Sequence, residues 1–230
     1  MIIKVHLDTS QVNYVNWTVI NLCYYGLTMN SVNMHGNTFI NTILGVIIEA
    51  PGYLLAMLTM DRFGRKPILV ICQIVSGISC IAAGLVFSNL DSIVTSLPSD
   101  WDGEKFADYL MLFLSCVGKL GSSAAFSLIY LYTAEMFPTE VRTKALGTCS
   151  MVARVGSFIS PYIASLGSSA DTGYIPFLIF GVSTLLGGST AIILPETVGT
   201  ELPVTIKDAE ILVRKVKSVS KEDSSISPGE

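Results

Sequence analysis

An all-α membrane protein with six transmembrane helices is the fold class this sequence predicts, on three observations. Half of the 230 residues are hydrophobic and only 14% are charged, against about 25% in a typical soluble domain. Six windows approach or reach the roughly 20 apolar residues that a helix needs to cross the hydrocarbon core. Almost all the basic residues fall on one side of the bundle that those windows define.

The first window, 12–30, is the most polar. Asn13, Asn16 and Asn21 find no partner in hydrocarbon, so this span should face protein or water. The second, 37–60, carries Glu49 and a break at Pro51-Gly52, because proline frees a carbonyl and bends a helix. The third, 68–88, holds Gly77, Ser79 and Ala82-Ala83-Gly84, small residues that let helices approach closely. Lys119 lies in the fourth, 110–134, with Gly118 and Gly121 nearby. Arg154 lies in the fifth, 145–166, where a second break is expected at Ser160-Pro161. The sixth, 174–194, has Gly181, Gly187 and Gly188. Residues 1–11 precede the bundle and 195–230 follow it. Within that tail, 204–217 could form a short amphipathic helix, and 218–230 reads as a disordered serine-rich end.

Charge fixes the orientation. Lys4, Arg62, Arg65, Lys66, Arg142, Lys144, Lys207, Arg214, Lys215, Lys217 and Lys221 share one side, eleven of the 14 basic residues. The other side holds Lys105 among Asp91, Asp100, Asp102, Glu104 and Asp108. The positive-inside rule then places both termini in the cytoplasm. Without the first span, Lys4 and the 62–66 cluster would fall on opposite sides. The five cysteines show neither a disulfide framework nor metal spacing. No cofactor, nucleotide loop, nucleic-acid partner or enzyme constellation is expected.

Three ionisable residues sit well inside spans: Glu49, Lys119 and Arg154. An Arg or Lys at a helix centre costs roughly 2.5–3.5 kcal/mol on insertion, so such groups pair or face a watery cavity. Glu49 reads either as a substrate or ion ligand, or as a packing partner for Lys119 or Arg154. Lys119 reads equally as a cavity residue or a structural one. Arg154 stays charged and needs a permanent acceptor, and a bound carboxylate suits it bidentately. Tyr24 and Tyr25, in the polar first span, offer ring faces and hydroxyls to the same path. Tyr130, Tyr132 and Tyr162 are further aromatic candidates.

Four motifs then carry a resemblance. Asp61-Arg62-Phe63-Gly64-Arg65-Lys66-Pro67 resembles the D-R-x-G-R-[RK] loop of the major facilitator superfamily. Tyr132–Arg142, YTAEMFPTEVR, is similar to the "YTAE-x-[FY]-PT-x-x-R" run of its organic cation, organic anion and carnitine transporters. Leu194–Pro203, LPETVGTELP, with Asp208-Ala209-Glu210, resembles the "LPET-x-G-x-x-LP … DAE" of that family, and Tyr24-Tyr25-Gly26 its seventh-helix "YYG".

The resemblance spans about 17–210 and implies the C-terminal half of a major facilitator fold, helices seven to twelve. An N-terminal six-helix half, or another transporter chain, is the implied partner beside the lipid bilayer. In the family, the position of Arg154 is typically aspartate in cation carriers and arginine in carnitine and anion carriers. The resemblance therefore implies a carboxylate-bearing or zwitterionic small organic ion, carried across the plasma membrane by alternating access.

On that reading Arg154 and Lys119 hold a carboxylate, Tyr24 and Tyr25 a ring or ammonium, and Glu49 balances the field. A cytoplasmic gate is expected from Asp61, Arg62, Gly64, Arg65, Glu135, Arg142 and Glu196, with Arg62 and Arg65 pairing with Glu135 or Glu196, and Arg142 with Asp61. Two alternatives stand beside it. One is a non-transporting half that regulates another transporter. The other is a sugar carrier, against which the lack of a glutamine-rich seventh helix argues.

Overall fold

The computed structural model describes residues 2–30, 38–89, 103–168 and 172–197. Among them are seven α-helices and no strand: α1 Ile2–Asn30, α2 Thr38–Ile47, α3 Glu49–Phe63, α4 Arg65–Ser88, α5 Gly103–Met136, α6 Arg142–Ser165 and α7 Tyr174–Ala191, with a 3₁₀ turn at Leu166–Ser168. The anticipated helix at 204–217 and most of the acidic connection lie outside the described residues.

Four stretches are long and apolar enough to cross a membrane: Thr38–Phe63, which joins α2 and α3, Arg65–Ser88, Phe106–Met136 and Tyr174–Ala191. The chain is thus a multi-pass membrane protein. α1 and α6 are long enough as well, but polar and small residues dilute their apolar runs. Helix α1 begins ten residues before the expected span, because no glycine or proline in 2–11 stops it.

The second span breaks at Ile48, three residues before Pro51. A proline cannot donate to the carbonyl one turn back, and the two pieces α2 and α3 result. The second expected break, at Ser160-Pro161, does not form: helix α6 continues through Pro161 to Ser165. Pro138 ends α5 and takes the N–H groups of Val141 and Arg142 at 3.1 and 2.9 Å, which turns the chain into α6.

Helix α1 forms the centre, packed on α5, α6 and α7, while α4 packs on α5 and α7 and α3 on α5. Its asparagines are buried, and each has a partner. Asn13 donates to Thr133 Oγ1 at 3.2 Å, Asn16 to Thr190 Oγ1 at 3.2 Å, and Gln73 to Asn16 Oδ1 at 3.1 Å. Trp17, fully buried, donates its indole N–H to the same Thr133 hydroxyl at 2.8 Å. The polar first span is thus glued to α4, α5 and α7 by interhelical hydrogen bonds.

Close approach at glycine seals the other contacts. A Cβ on Gly121 would lie 2.8 Å from the Cys72 carbonyl oxygen, which brings α5 against the α4 backbone. Gly77 and Gly181 do the same for α4 and α7: a Cβ on either would sit 2.9–3.0 Å from the carbonyl of the other.

Candidate functional site

Two polar centres emerge, one within the bundle and one at its α4–α5–α7 end. The first is built where the break before Pro51 turns Glu49 inward from the start of α3. Lys119, from the middle of α5, reaches Glu49 Oε1 at 2.9 Å. Its ammonium also donates to the Tyr24 carbonyl at 3.2 Å and to the Thr28 hydroxyl. An ammonium has three N–H donors, so these acceptors occupy all of them. The same nitrogen lies 3.8 Å from the centre of the Tyr24 ring, a cation–π contact. Lys119 is only 4% exposed.

Glu49 accepts a second hydrogen bond, from the Tyr24 hydroxyl to Oε2 at 2.8 Å. Two of the roughly four acceptor positions of its carboxylate are then used, and 17% of the side chain remains exposed. Tyr24 stacks on Phe126 at 4.6 Å, and Tyr25 meets both rings edge-on at 5.2 and 6.4 Å. Phe126 continues to Tyr130, and Tyr130 to Trp17. An aromatic ladder thus runs along the α1–α5 seam from the ion pair.

On the other side of the pair lies a small open cleft between α1, α2 and α5, with Thr28, Asn41, Ser115 and Cys116 in its walls.

Arg154 is elsewhere. It lies on the exposed side of α6 with Met151, Val155, Phe158 and Tyr162, and it does not line that cleft. No ion pair reaches it among the described residues. Of the two readings open for Glu49 as a packing partner, the structure therefore forms the one with Lys119. Thr28, Phe126 and Tyr53, whose hydroxyl lies 3.4 Å from that of Tyr24, were missed by sequence reasoning. Thr28 follows Tyr24 by four residues and Tyr53 follows Glu49 by four, so the helical repeat was the signal that could have found them.

The second centre surrounds Gly64, the one residue with positive φ among those described, at +100°. A side chain there would be strained, and a Cβ would also meet Glu196 Oε2 at 3.0 Å. Glu196 caps α4 from across the bundle, accepting the backbone N–H of Arg65 at 3.0 Å and of Lys66 at 3.2 Å. Pro67 follows with no N–H to satisfy, so the first turn of α4 has its donors met.

Arg65 contacts Glu135 Oε1 through Nε and Nη2, both at 3.2 Å, and Asp61 Oδ1 at 3.3 Å. Thr197 donates to Glu135 Oε2 at 2.7 Å and Tyr132 to the Pro195 carbonyl at 2.6 Å. The ends of α4, α5 and α7 are therefore tied by one network. Two expected pairings are absent. Arg142 donates to the Phe137 carbonyl at 3.4 Å instead of meeting Asp61, because it opens α6 right after the Pro138 turn. Arg62 is exposed on the outer side of α3 and makes no ion pair among the described residues.

Comparison with known proteins agrees with this architecture. The family model described as Major Facilitator Superfamily matches residues 11–221. A Drosophila melanogaster protein named organic cation transporter protein is 36% identical over 88% of this chain and 33% of its own length. The human organic cation/carnitine transporter 2 is 35% identical over 87% of this chain and 32% of its own. This chain therefore spans about a third of the length of these curated relatives. Among solved structures, the inward-open xylose transporter XylE from E. coli matches with a TM-score of 0.65 at 16% identity, covering 100% of this chain and 57% of that one. At that identity the likeness speaks for the fold.

Proposed function

This chain belongs to the Major Facilitator Superfamily, and from that premise we propose that it supplies one wall of a path for small organic ions. The observation that carries this reading is Arg154. It stands mid-helix in α6, about 18 Å from the helix start at 1.5 Å per residue, exposed and without an acid partner among the described residues. A guanidinium at that depth does not face lipid at low cost. It faces water, a ligand or a second set of helices.

On this reading Arg154 holds the carboxylate of the substrate bidentately. The donors of Lys119 are engaged elsewhere, so in this geometry the carboxylate falls to Arg154 alone. Glu49 and Tyr25 offer an acceptor and a ring to an ammonium or aromatic end, while the ring of Tyr24 is already covered by Lys119 and Phe126. The names of the relatives, organic cation and organic cation/carnitine transporters, support a zwitterionic or carboxylate-bearing organic ion. A second six-helix unit closes the path, and the two halves rock about it to give alternating access. The network of Arg65, Glu135 and Glu196 with Asp61 acts at the cytoplasmic mouth. Both termini lie in the cytoplasm and the membrane is the plasma membrane.

A second reading rests on the exposed face of α6 that carries Arg154: that face would seat against another transporter, which the chain then regulates. Uptake of labelled carnitine by cells expressing residues 1–230 separates the two. The transport reading expects uptake above an Arg154→Ala control, with or without a co-expressed N-terminal half of the fly relative. Equal uptake by both chains in both settings would remove it.

A further inference from the structure

We propose that Lys119 sets the charge preference of this path by neutralising Glu49, and that it is not itself a substrate ligand. The inference rests on the reading above that these helices line a substrate path, and it adds which residue decides what charge that path accepts.

The geometry leaves Lys119 no spare donor. Its three N–H groups go to Glu49 Oε1, the Tyr24 carbonyl and the Thr28 hydroxyl, and the side chain is almost wholly buried. A ligand carboxylate reaches it only by displacing one of these. What the ammonium does instead is cancel the charge of Glu49, 2.9 Å away. Of the three ionisable residues inside the spans, Arg154 is then the one whose charge is uncompensated among the described residues. The summed charge along the path is positive and favours a carboxylate.

Remove the ammonium and the sign changes locally. Glu49 keeps its hydrogen bond from Tyr24 and its partial exposure, but is now an unbalanced carboxylate. It would stand beside the ring of Tyr24, which packs against Phe126 and Tyr25. A carboxylate next to aromatic faces is a receptor for an organic cation. A positively charged ligand would meet the partly exposed Glu49 from the cleft that it lines.

The test is equilibrium binding of labelled tetraethylammonium, a permanent cation, to purified residues 1–230 in lipid nanodiscs. Lys119→Met is expected to bind it at least tenfold more tightly than the wild type, and Lys119→Met/Glu49→Gln to return to the wild-type level. Binding by folded Lys119→Met within twofold of wild type overturns the proposal, and so does a gain that survives in the double variant. If Lys119→Met does not fold, Glu49→Gln carries the test, since it keeps the ammonium and removes its counter-charge. Labelled benzoate should then bind at least tenfold more tightly than to wild type, and unchanged binding overturns the proposal. Failure of carnitine uptake with these shifts intact would count against the transport reading alone.

Discussion

Arg65→Glu should lower the stability of the purified chain by about 2–4 kcal/mol, given that a hydrogen bond to a charged group contributes about 1.5–3 kcal/mol and that reversal adds repulsion. Two contacts to Glu135 Oε1 are lost, both at 3.2 Å. The contact with Asp61 matters less, because that side chain is 68% exposed and exposed pairs contribute little. The new carboxylate would face Glu135, with Glu196 close by at the start of α4. Adding Glu135→Arg restores the attraction with the charges exchanged and should recover most of the loss. The readout is the unfolding midpoint in a denaturing-detergent titration. A midpoint unchanged by Arg65→Glu would mean that the network does not hold these helix ends together.

The second large effect is expected at Gly181. A Cβ there meets the Gly77 carbonyl at 2.9 Å and the Ile81 backbone nitrogen at 3.0 Å, so the obstruction is backbone and cannot rotate away. Overpacking typically costs about 1–3 kcal/mol, and Gly181→Ala should fall in that range. Gly181→Leu adds three more carbons to a contact with no space and should prevent α7 from seating on α4. By contrast, a Cβ at Gly147 meets nothing within 4 Å, so Gly147→Ala should hold or raise the midpoint, since alanine suits a helix interior better than glycine by about 1 kcal/mol. Equal midpoints for Gly181→Ala and Gly147→Ala would contradict the close α4–α7 packing.

Much of this architecture is legible in the sequence. Apolar length announced a helical membrane protein, proline marked the break before Pro51 but none at Pro161, and the asparagines of α1 announced a helix turned away from lipid. Each of these signals is local, since it depends on a residue and its near neighbours in the chain. What was not legible was the choice of partner. Glu49 had two basic residues available, and which one it meets depends on how α3, α5 and α6 are rotated about their axes. Near-contiguous apolar sequence leaves that rotation open. The same limit hid the role of Glu196, whose partners are backbone N–H groups at a helix start rather than a side-chain charge. Arg142 illustrates the reverse case. The family resemblance paired it with Asp61, but the Pro138 turn holds it at the head of α6, beside the Phe137 carbonyl.

The central claim is that the Arg154 face of α6 borders a watery substrate path. Phe158, one turn further along that face and 69% exposed, is the place to measure it. Phe158→Cys, in a chain with the five native cysteines replaced, can be treated with a membrane-impermeant thiol reagent with and without carnitine. The account predicts ready labelling that carnitine slows several-fold, and loss of that protection when Arg154→Ala is added. No labelling, or protection that is the same with and without Arg154, would contradict it.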